Sequence, residues 1–261
     1  MESLLVRARH NKCSFGLNIS FLDPVILECA KQAGYDFVRL DCEHILFDKT
    51  TLATMLREAR LLDLPLQIRV PALTEVTALL DMGATGIMVP HLENVAAAKE
   101  AVQAVKYAPL GERGMTGAAR VLGFGRTSLS EYAAKANEEI ALIGQIESKA
   151  GLDNLAAILT VPGLDMIATG RNDLSQALGV PGQNTHPTVL AAEDLIIQKT
   201  LAAGKQPTIL VKNTKRLQEL YNKGVRCFSI ERDDLLFTKA AKAHLEKMQA
   251  ALAGSVTKEA N

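Results

Sequence analysis

The chain has 261 residues and carries 29 basic and 29 acidic side chains, so its formal net charge is zero. This balance gives no indication of a surface for nucleic acid or for an anionic membrane. Aromatic residues make up 4% and tryptophan is absent, so platforms for stacking nucleobases are not expected. The hydrophobic fraction of 48% is ordinary for a globular protein with a sizeable core.

The N-terminus and the cysteines both favour the cytoplasm. The stretch Met1–Gly16 lacks the apolar run and the small-residue cleavage site of a signal peptide. No apolar run approaches the roughly 18–20 residues of a membrane span. The cysteines form no Cys-x-x-Cys pair, and Cys29 and Cys42 lie in apolar-periodic runs that predict buried thiols. We therefore expect a cytoplasmic protein in a reducing compartment.

Short apolar runs that predict strands alternate with amphipathic runs that predict helices. Eight strands are predicted, at Phe15–Ser20, Phe37–Leu40, Leu66–Val70, Gly86–Val89, Ile140–Ile146, Leu164–Thr169, Thr208–Val211 and Arg226–Ile230. One helix is predicted at Leu152–Leu159, between the fifth and sixth strands. The last helix should run from Leu235 to Leu252, followed by a frayed tail at Ala253–Asn261.

Eight strand–helix alternations without a linker predict an α/β fold, a (β/α)8 TIM barrel with an additional C-terminal helix. Residues 1–261 should form this single domain. A doubly wound open sheet is the competing fold, but no Gly-x-Gly-x-x-Gly follows the first strand. The glycine-rich segment Tyr107–Ser128 interrupts the alternation, and a loop of this length is expected to be functional or mobile.

Ionisable residues and two amides gather at the predicted carboxyl ends of the strands, where barrels assemble their active sites. In strand order they are Asp41, Glu43, His44, Arg69, His91, Gln145, Glu147, Arg171, Asn172, Asp173, Lys212 and Glu231. Such a density exceeds ordinary loop polarity and predicts a functional rim.

Glu147 and Asp173 follow neighbouring strands, so they should lie at one end of the sheet. Asp173 has an alternative role as a carboxylate at a helix N-terminus. Glu147 ends a buried strand, where an unpaired carboxylate is costly, and this favours a ligand role. Two oxygen ligands without a nearby His or Cys suit Mg²⁺ or Mn²⁺ rather than a closed zinc site.

Arg69 lies in a strand that should otherwise be apolar, so it is expected to meet an anion or a carboxylate. It could pair with Asp41 or Glu43, or it could stabilise negative charge on a substrate oxygen. Asp41 could orient the imidazole of His44, which would make His44 a general acid/base. Lys212 leaves open a Schiff-base mechanism.

With these residues identified, the sequence resembles the HpcH/HpaI aldolase family of the phosphoenolpyruvate/pyruvate barrels over about Phe15 to Glu231. Six motifs in this order carry the resemblance: GYDFVRLDCEH (Gly34–His44), RVP (Arg69–Pro71), LLDMGATGIMVPHLEN (Leu79–Asn94), YAPLGERG (Tyr107–Gly114), QIES (Gln145–Ser148) and NDLSQALG (Asn172–Gly179). Each is weak alone, but the ordered set is specific.

The resemblance implies a lyase, a class II aldolase that cleaves a 4-hydroxy-2-oxo acid to pyruvate and an aldehyde. It implies a divalent metal (Mg²⁺, Mn²⁺ or Co²⁺) on Glu147 and Asp173, an enolate stabilised by Arg69, and His44 as acid/base with Asp41. Gln145 would line the site, and backbone amides around Asn172 and Asp173 would hold the substrate carboxylate. Asp81 matches a position near the subunit interface, and a homo-oligomer, a hexamer or trimer with an exchanged C-terminal helix, is implied.

One position departs from the family pattern. The family commonly has Gly-Pro where this chain has Gly170-Arg171. The added cation could bind a second acid group of the substrate or turn outward to an interface. Oxaloacetate decarboxylation or condensation on the same enolate is the closest alternative function, and a non-catalytic barrel that binds oxo acids is a further one.

Overall fold

The computed structural model describes residues 2–117, 119–123 and 125–256, and its eight parallel strands close into one barrel in sequence order. The predicted TIM barrel is therefore confirmed. The strands are β1 (Ser14–Ile19), β2 (Phe37–Asp41), β3 (Leu66–Arg69), β4 (Gly86–Val89), β5 (Ala141–Ile146), β6 (Met166–Thr169), β7 (Gln206–Leu210) and β8 (Cys227–Arg232).

Helices surround the barrel and connect its strands. They are α1 (Leu4–Arg9), α2 (Val25–Gln32), α3 (Lys49–Leu61), α4 (Val76–Met82), α5 (Val95–Val105), α6 (Leu129–Glu139), α7 (Lys149–Asp153), α8 (Leu155–Ile158), α9 (Arg171–Ala177), α10 (Pro187–Ala202), α11 (Thr214–Asn222) and α12 (Asp233–Val256). Short 3-10 helices occupy Leu73–Glu75 and Arg120–Leu122. Within the described ranges, no helix is both long and apolar enough to cross a membrane.

The strand register decides which polar side chains become neighbours. Asp41 on β2 lies opposite Arg69 on β3, and Arg39 lies opposite Gln67 two pairs earlier. On β5 and β6, Gln145 lies opposite Ala168. Because alternate residues of a barrel strand point inward, these pairs form successive layers of the interior.

The amino-terminal half of the barrel interior is apolar, whereas the carboxyl ends carry the charges. A buried cluster that includes Phe37, Ile143, Met166 and Cys227 fills the interior below the polar layers. A separate and larger cluster packs the strands against the surrounding helices. This apolar filling makes the barrel a closed core below its carboxyl end, so ligands are expected to enter only from that end.

The C-terminal helix is fixed to the first strand by one buried carboxylate. Asp233 at the start of α12 accepts hydrogen bonds from the backbone N–H groups of Ser20 and Phe21, at 2.9 to 3.0 Å, and from the Ser20 hydroxyl. The carboxylate is 3% exposed. These contacts hold the start of α12 beside the end of β1.

Several local predictions are wrong. The helix predicted at Leu152–Leu159 is two short helices, α7 and α8, which meet at Asn154. The final helix continues through Val256, so the first four residues of the predicted tail are helical, and residues 257–261 lie outside the described ranges. Cys29 is exposed rather than buried, because it lies on the outer face of α2.

Candidate active site

One cavity of about 470 Å³ opens at the carboxyl ends of the strands and collects most of the predicted site residues. Asp41, His44, Arg69, Gln145, Arg171, Asn172 and Asp173 all line it. Glu147 lies next to the cavity wall rather than on it, since its carboxylate is held by Gln145. The strand-end pattern of the sequence therefore corresponds to one site.

Arg69 is held between two carboxylates. Its Nε donates to Asp41 Oδ1 at 2.9 Å, its Nη2 pairs with Asp41 Oδ2, and its Nη1 lies 3.2 Å from Glu43 Oε2. Burial acts to lower the pKa of Arg69, but the hydrogen bond and charge of Asp41 raise it above the ordinary value. The pairing with carboxylates that the sequence left open is thus present, and the guanidinium also lines the cavity.

The predicted contact between Asp41 and the imidazole of His44 is absent from the structure. Asp41 Oδ1 instead accepts the backbone N–H groups of Glu43 at 3.1 Å and of His44 at 3.3 Å. This turn directs the His44 ring away from Asp41, and its Nε2 lies 3.7 Å from Glu43 Oε2. With 60% of its side chain exposed, the ring lies on the rim of the cavity.

Glu147 is a buried carboxylate at the end of β5. The residue is 2% exposed, and its oxygens accept from the His91 backbone N–H at 2.8 Å and from Gln145 Nε2. Burial raises the pKa of Glu147, the two contacts with His91 act against this, and the negative charges of Asp173 and Glu43 raise it further. A cation beside Glu147 would stabilise the charged form of this carboxylate and lower its pKa.

His91 connects Glu147 to the arginine group. Its Nδ1 lies 3.3 Å from Glu147 Oε1, and its Nε2 lies 3.2 Å from Glu43 Oε1. Its φ of +50° is in the left-handed region, which costs a residue other than glycine about 1–2 kcal/mol. This backbone conformation directs the His91 N–H towards the Glu147 carboxylate, and the hydrogen bond between them accounts for the positive φ.

Gly170 and Asp173 shape the space beside Glu147. A Cβ atom on Gly170 would lie 2.1 Å from Glu147 Oε2, so only glycine leaves room for the carboxylate. Asp173 lines the cavity, and its carboxylate forms no hydrogen bond or ion pair with any residue that the structure describes. Its neighbour Asn172 accepts a hydrogen bond from Asn184 Nδ2 at 2.9 Å.

Arg171 lines the cavity but is only loosely held. Its Nε lies 3.5 Å from Glu193 Oε1, and its Nη2 donates to the Leu210 carbonyl at 3.4 Å. The buried Glu193 makes a shorter contact of 3.0 Å with Arg216. The long distances leave the Arg171 guanidinium available to a ligand.

The structure places Lys212 at the cavity and Asp81 in an ion pair. Lys212 lines the cavity but is exposed, so its amine lacks the desolvation that a Schiff-base lysine usually needs. Asp81 pairs with the buried Arg113 of its own chain.

Sequence reasoning missed Arg39, which lies on β2 inside the barrel and lines the cavity. The sequence does indicate a special role for Arg39, because an arginine between Val38 and Leu40 in a buried strand needs an explanation. The contacts of His91 and the close approach at Gly170 depend on tertiary geometry and leave no such signal.

A closed parallel barrel with one charged cavity at the carboxyl ends of its strands defines the class as a TIM-barrel enzyme. The sequence matches the HpcH/HpaI aldolase/citrate lyase family over residues 15–240. The chain belongs to this family, and it is a lyase.

Several known proteins are similar to this chain over nearly all of its length. A 2-keto-3-deoxy-L-rhamnonate aldolase of Salmonella gallinarum is 30% identical over 256 residues, covering 96% of this chain and 94% of the relative. The structure of the citrate synthase SbnG is 30% identical with a TM-score of 0.87, covering 95% of this chain and 98% of that one. An HpcH/HpaI aldolase from Desulfitobacterium hafniense is 25% identical with a TM-score of 0.89, at 95% and 97% coverage.

The pair of Asp41 and Arg69 should contribute to stability in a pH-dependent way. We expect Asp41→Asn to lower the free energy of unfolding at pH 7 by about 1–2 kcal/mol, less than for a fully buried pair, because the cavity gives both groups access to solvent. The Arg69 hydrogen bond lowers the pKa of Asp41 against the opposing effect of burial. Its contribution is therefore complete above about pH 4 and is lost as the pH falls through the lowered value.

Urea denaturation at a series of pH values measures this effect. The difference between wild type and Asp41→Asn should shrink below about pH 4. Asp153→Asn, on an exposed helix position, is the control and should stay within about 0.5 kcal/mol of wild type. A difference of the same size at pH 7 and pH 2.5 would contradict the assignment.

Proposed function

We propose that the protein is a metal-dependent aldolase that reversibly cleaves a 4-hydroxy-2-oxo acid to pyruvate and an aldehyde. The observation that carries the proposal is the position of Arg69, which lines the same cavity as Asp173 and whose pKa is raised in part by the charge of Glu147. A cation and one carboxylate thus face the same cavity, and the carboxylate of Glu147 lies next to its wall. Family membership and relatives named as aldolases support the same reaction.

The residues present fit a divalent cation. Glu147 is buried with a raised pKa, Asp173 is uncommitted, and the buried Gln145 Oε1 has no hydrogen-bond partner. Within the described ranges no group of three or more His, Cys, Asp or Glu side chains is arranged to hold a metal. Two protein carboxylates with further oxygens from water or substrate are typical of Mg²⁺ or Mn²⁺ rather than of zinc.

Glu147 and Asp173 would hold this metal, for which Mg²⁺, Mn²⁺ and Co²⁺ are the candidates. When bound, such a cation acts as a Lewis acid and orients the oxo acid. A structure of a citrate lyase beta subunit from M. tuberculosis is described as complexed with oxaloacetate and magnesium, but at 15% identity it supports only the shared fold.

Side chains of the protein would transfer the proton and stabilise the negative charge. His44 would accept the proton of the substrate 4-hydroxyl, and the C3–C4 bond would break to release the aldehyde. The electron pair of that bond would leave pyruvate as an enolate, whose oxygen would lie against Arg69. Protonation at C3 then gives pyruvate.

Binding of the substrate would use the residues around the same cavity. Gln145 would line the pyruvate half, and the N–H groups at the start of α9, around Asn172 and Asp173, would hold the carboxylate, because a helix leaves its first N–H groups without partners. Arg171 would contact an acid group further along the substrate, and its long contact with Glu193 supports this role.

Pyruvate release from a panel of 4-hydroxy-2-oxo acids, with Mg²⁺ or Mn²⁺ and with EDTA, tests the proposal. We expect turnover with metal and none with EDTA. Borohydride with pyruvate should leave Lys212 unmodified. The absence of metal-dependent turnover of every member would rule out the aldolase, and trapping of Lys212 would assign a Schiff-base mechanism instead.

Arg69→Ala should reduce kcat by about 10²–10³-fold, because it removes a preorganised donor from the developing enolate. Its effect on the Mn²⁺ affinity should be smaller than its effect on kcat, because Arg69 is not a ligand and is linked to Glu147 only through Glu43 and His91. Arg57→Ala, which removes an exposed arginine of α3, is the matched control and should keep full kcat. If Arg69→Ala retained wild-type kcat, Arg69 would have no role in the chemistry.

Oxaloacetate decarboxylation is a second candidate, favoured by the exposed position of His44 and the absence of a contact between its ring and Asp41. Decarboxylation needs no proton transfer from a 4-hydroxyl group, so it asks less of His44. We expect His44→Ala to reduce aldol cleavage by about 10²-fold or more while changing oxaloacetate decarboxylation by less than about fivefold. Equal losses in both assays would contradict this separation.

We also propose a cytoplasmic homo-oligomer, a hexamer or trimer. Apolar side chains of α12 remain exposed in the single chain, among them Phe237 at 66% and Leu252 at 72%, and a covered surface would account for them. The free cysteines of the described residues suit a reducing compartment. A monomeric mass in light scattering would contradict the oligomer.

A further inference from the structure

Arg39 is a cation inside the barrel that the proposed reaction does not use. Its Nε and Nη2 donate to Gln67 Oε1 at 3.0 and 2.7 Å, its Nη2 also to Thr208 Oγ1 at 3.2 Å, and its Nη1 to Ser229 Oγ at 3.1 Å. All three acceptors are neutral side chains. The positive charge is therefore solvated by dipoles but not neutralised.

No carboxylate of the described chain compensates this charge by an ion pair. Asp41 is two residues further along β2, but both of its oxygens are committed to Arg69. Burial lowers the pKa of Arg39 to about 10, which still leaves the guanidinium charged at neutral pH. A buried, uncompensated cation is costly, and an anion in contact with it would remove much of that cost.

The accessible part of Arg39 faces the cavity. Beside it lie hydrogen-bond donors that have no acceptor among the described residues. A guanidinium has five N–H donors, and the four hydrogen bonds above leave one on Nη1. The Ser229 hydroxyl accepts from Arg39 and donates to no described residue, and the Asn18 amide forms no side-chain hydrogen bond with any described residue. These groups converge on the floor of the cavity, below the layer of Arg69.

We propose that Arg39, Ser229 and Asn18 form a carboxylate-binding subsite at the floor of the active-site cavity. One full positive charge with two neutral donors matches a single carboxylate, which charge-assisted hydrogen bonds bind well. Met88 and Ala168 give the cavity apolar surface that suits a carbon skeleton. The subsite rests on the proposed function for one point only, that the ligand is an organic acid.

The depth of the subsite limits the ligand. Arg39 precedes Asp41 by two residues on β2, and two residues of a parallel strand span about 6.6 Å. The layer of Arg39 therefore lies at most about that far below the layer of Arg69, where the oxo group would react, and a carboxylate above Arg39 lies between the two layers. A ligand that contacts both arginines must carry this carboxylate at a distance from the reacting centre.

The test uses the 261-residue chain after removal of metal with EDTA and dialysis, so that neither the metal site nor the chelator's carboxylates contribute. Binding of ¹³C-labelled acetate is followed by its NMR line width. We expect saturable broadening with wild type, an affinity lower by at least about tenfold for Arg39→Met, and a loss of about three- to tenfold for Ser229→Ala, which keeps the cation. Arg57→Met makes the same substitution on the exposed face of α3 and should bind acetate as wild type does.

Thermal unfolding of each variant separates loss of binding from loss of folding, and Ser229→Ala keeps the test decisive if Arg39→Met does not fold. Acetate binding that is equal in wild type, Arg39→Met and Ser229→Ala would overturn the subsite, as would the absence of saturable binding to wild type. Failure of metal-dependent pyruvate release by wild type would instead overturn the proposed function, while the metal-free titration would remain valid.

A second arm identifies which carboxylate occupies the subsite. With Mn²⁺ and a turned-over substrate, acetate that raises KM without changing kcat shows that the substrate's own carboxylate uses the subsite. Acetate that changes kcat without changing KM shows a separate organic acid. Both outcomes support the subsite provided that Arg39→Met abolishes the effect, and persistence of the effect in Arg39→Met would contradict it.

Discussion

The buried carboxylate of Glu147 is the constraint on which the arrangement of the site depends. Its residue is 2% exposed, and burial raises its pKa, so the surrounding structure must supply either donors or a cation. His91 adopts a positive φ that places its N–H on this carboxylate, and Gly170 omits the Cβ that would collide with it. Two backbone positions are thus specialised for one side chain.

The same carboxylate is connected to the arginine that we assign to catalysis. His91 bridges Glu147 and Glu43, and Glu43 in turn lies 3.2 Å from Arg69. A change at either end alters the charge balance at the other, because these groups share a partly desolvated environment in which charges interact strongly. Residues from separate strands therefore act on a ligand as one group of interacting charges, which we call the electrostatic unit. Arg39 stands apart from this unit, since its hydrogen bonds go only to neutral groups.

The sequence was sufficient to predict the barrel, because strand and helix periodicities alternate eight times, and to predict most of the residues that meet at the carboxyl end, with Arg39 as the exception. It was not sufficient for the pairing within that end. Asp41 and His44 suggested a carboxylate–imidazole contact, yet the turn satisfies Asp41 with backbone N–H groups and with Arg69 across the sheet. A sequence pattern does not reveal such competition between partners. The helix predicted at Leu152–Leu159 was divided for a similar local reason, a break at Asn154 that periodicity does not register.

The affinity for Mn²⁺, measured by electron paramagnetic resonance, shows whether the space beside Glu147 holds a divalent cation. We expect tight binding to wild type and an affinity lower by at least about tenfold in Glu147→Gln, Asp173→Asn and Gly170→Ala. Gly114→Ala adds the same methyl group where the nearest atom is 4.0 Å away, and it should bind as wild type does. Equal Mn²⁺ affinity in wild type, Glu147→Gln and Gly170→Ala would contradict the account.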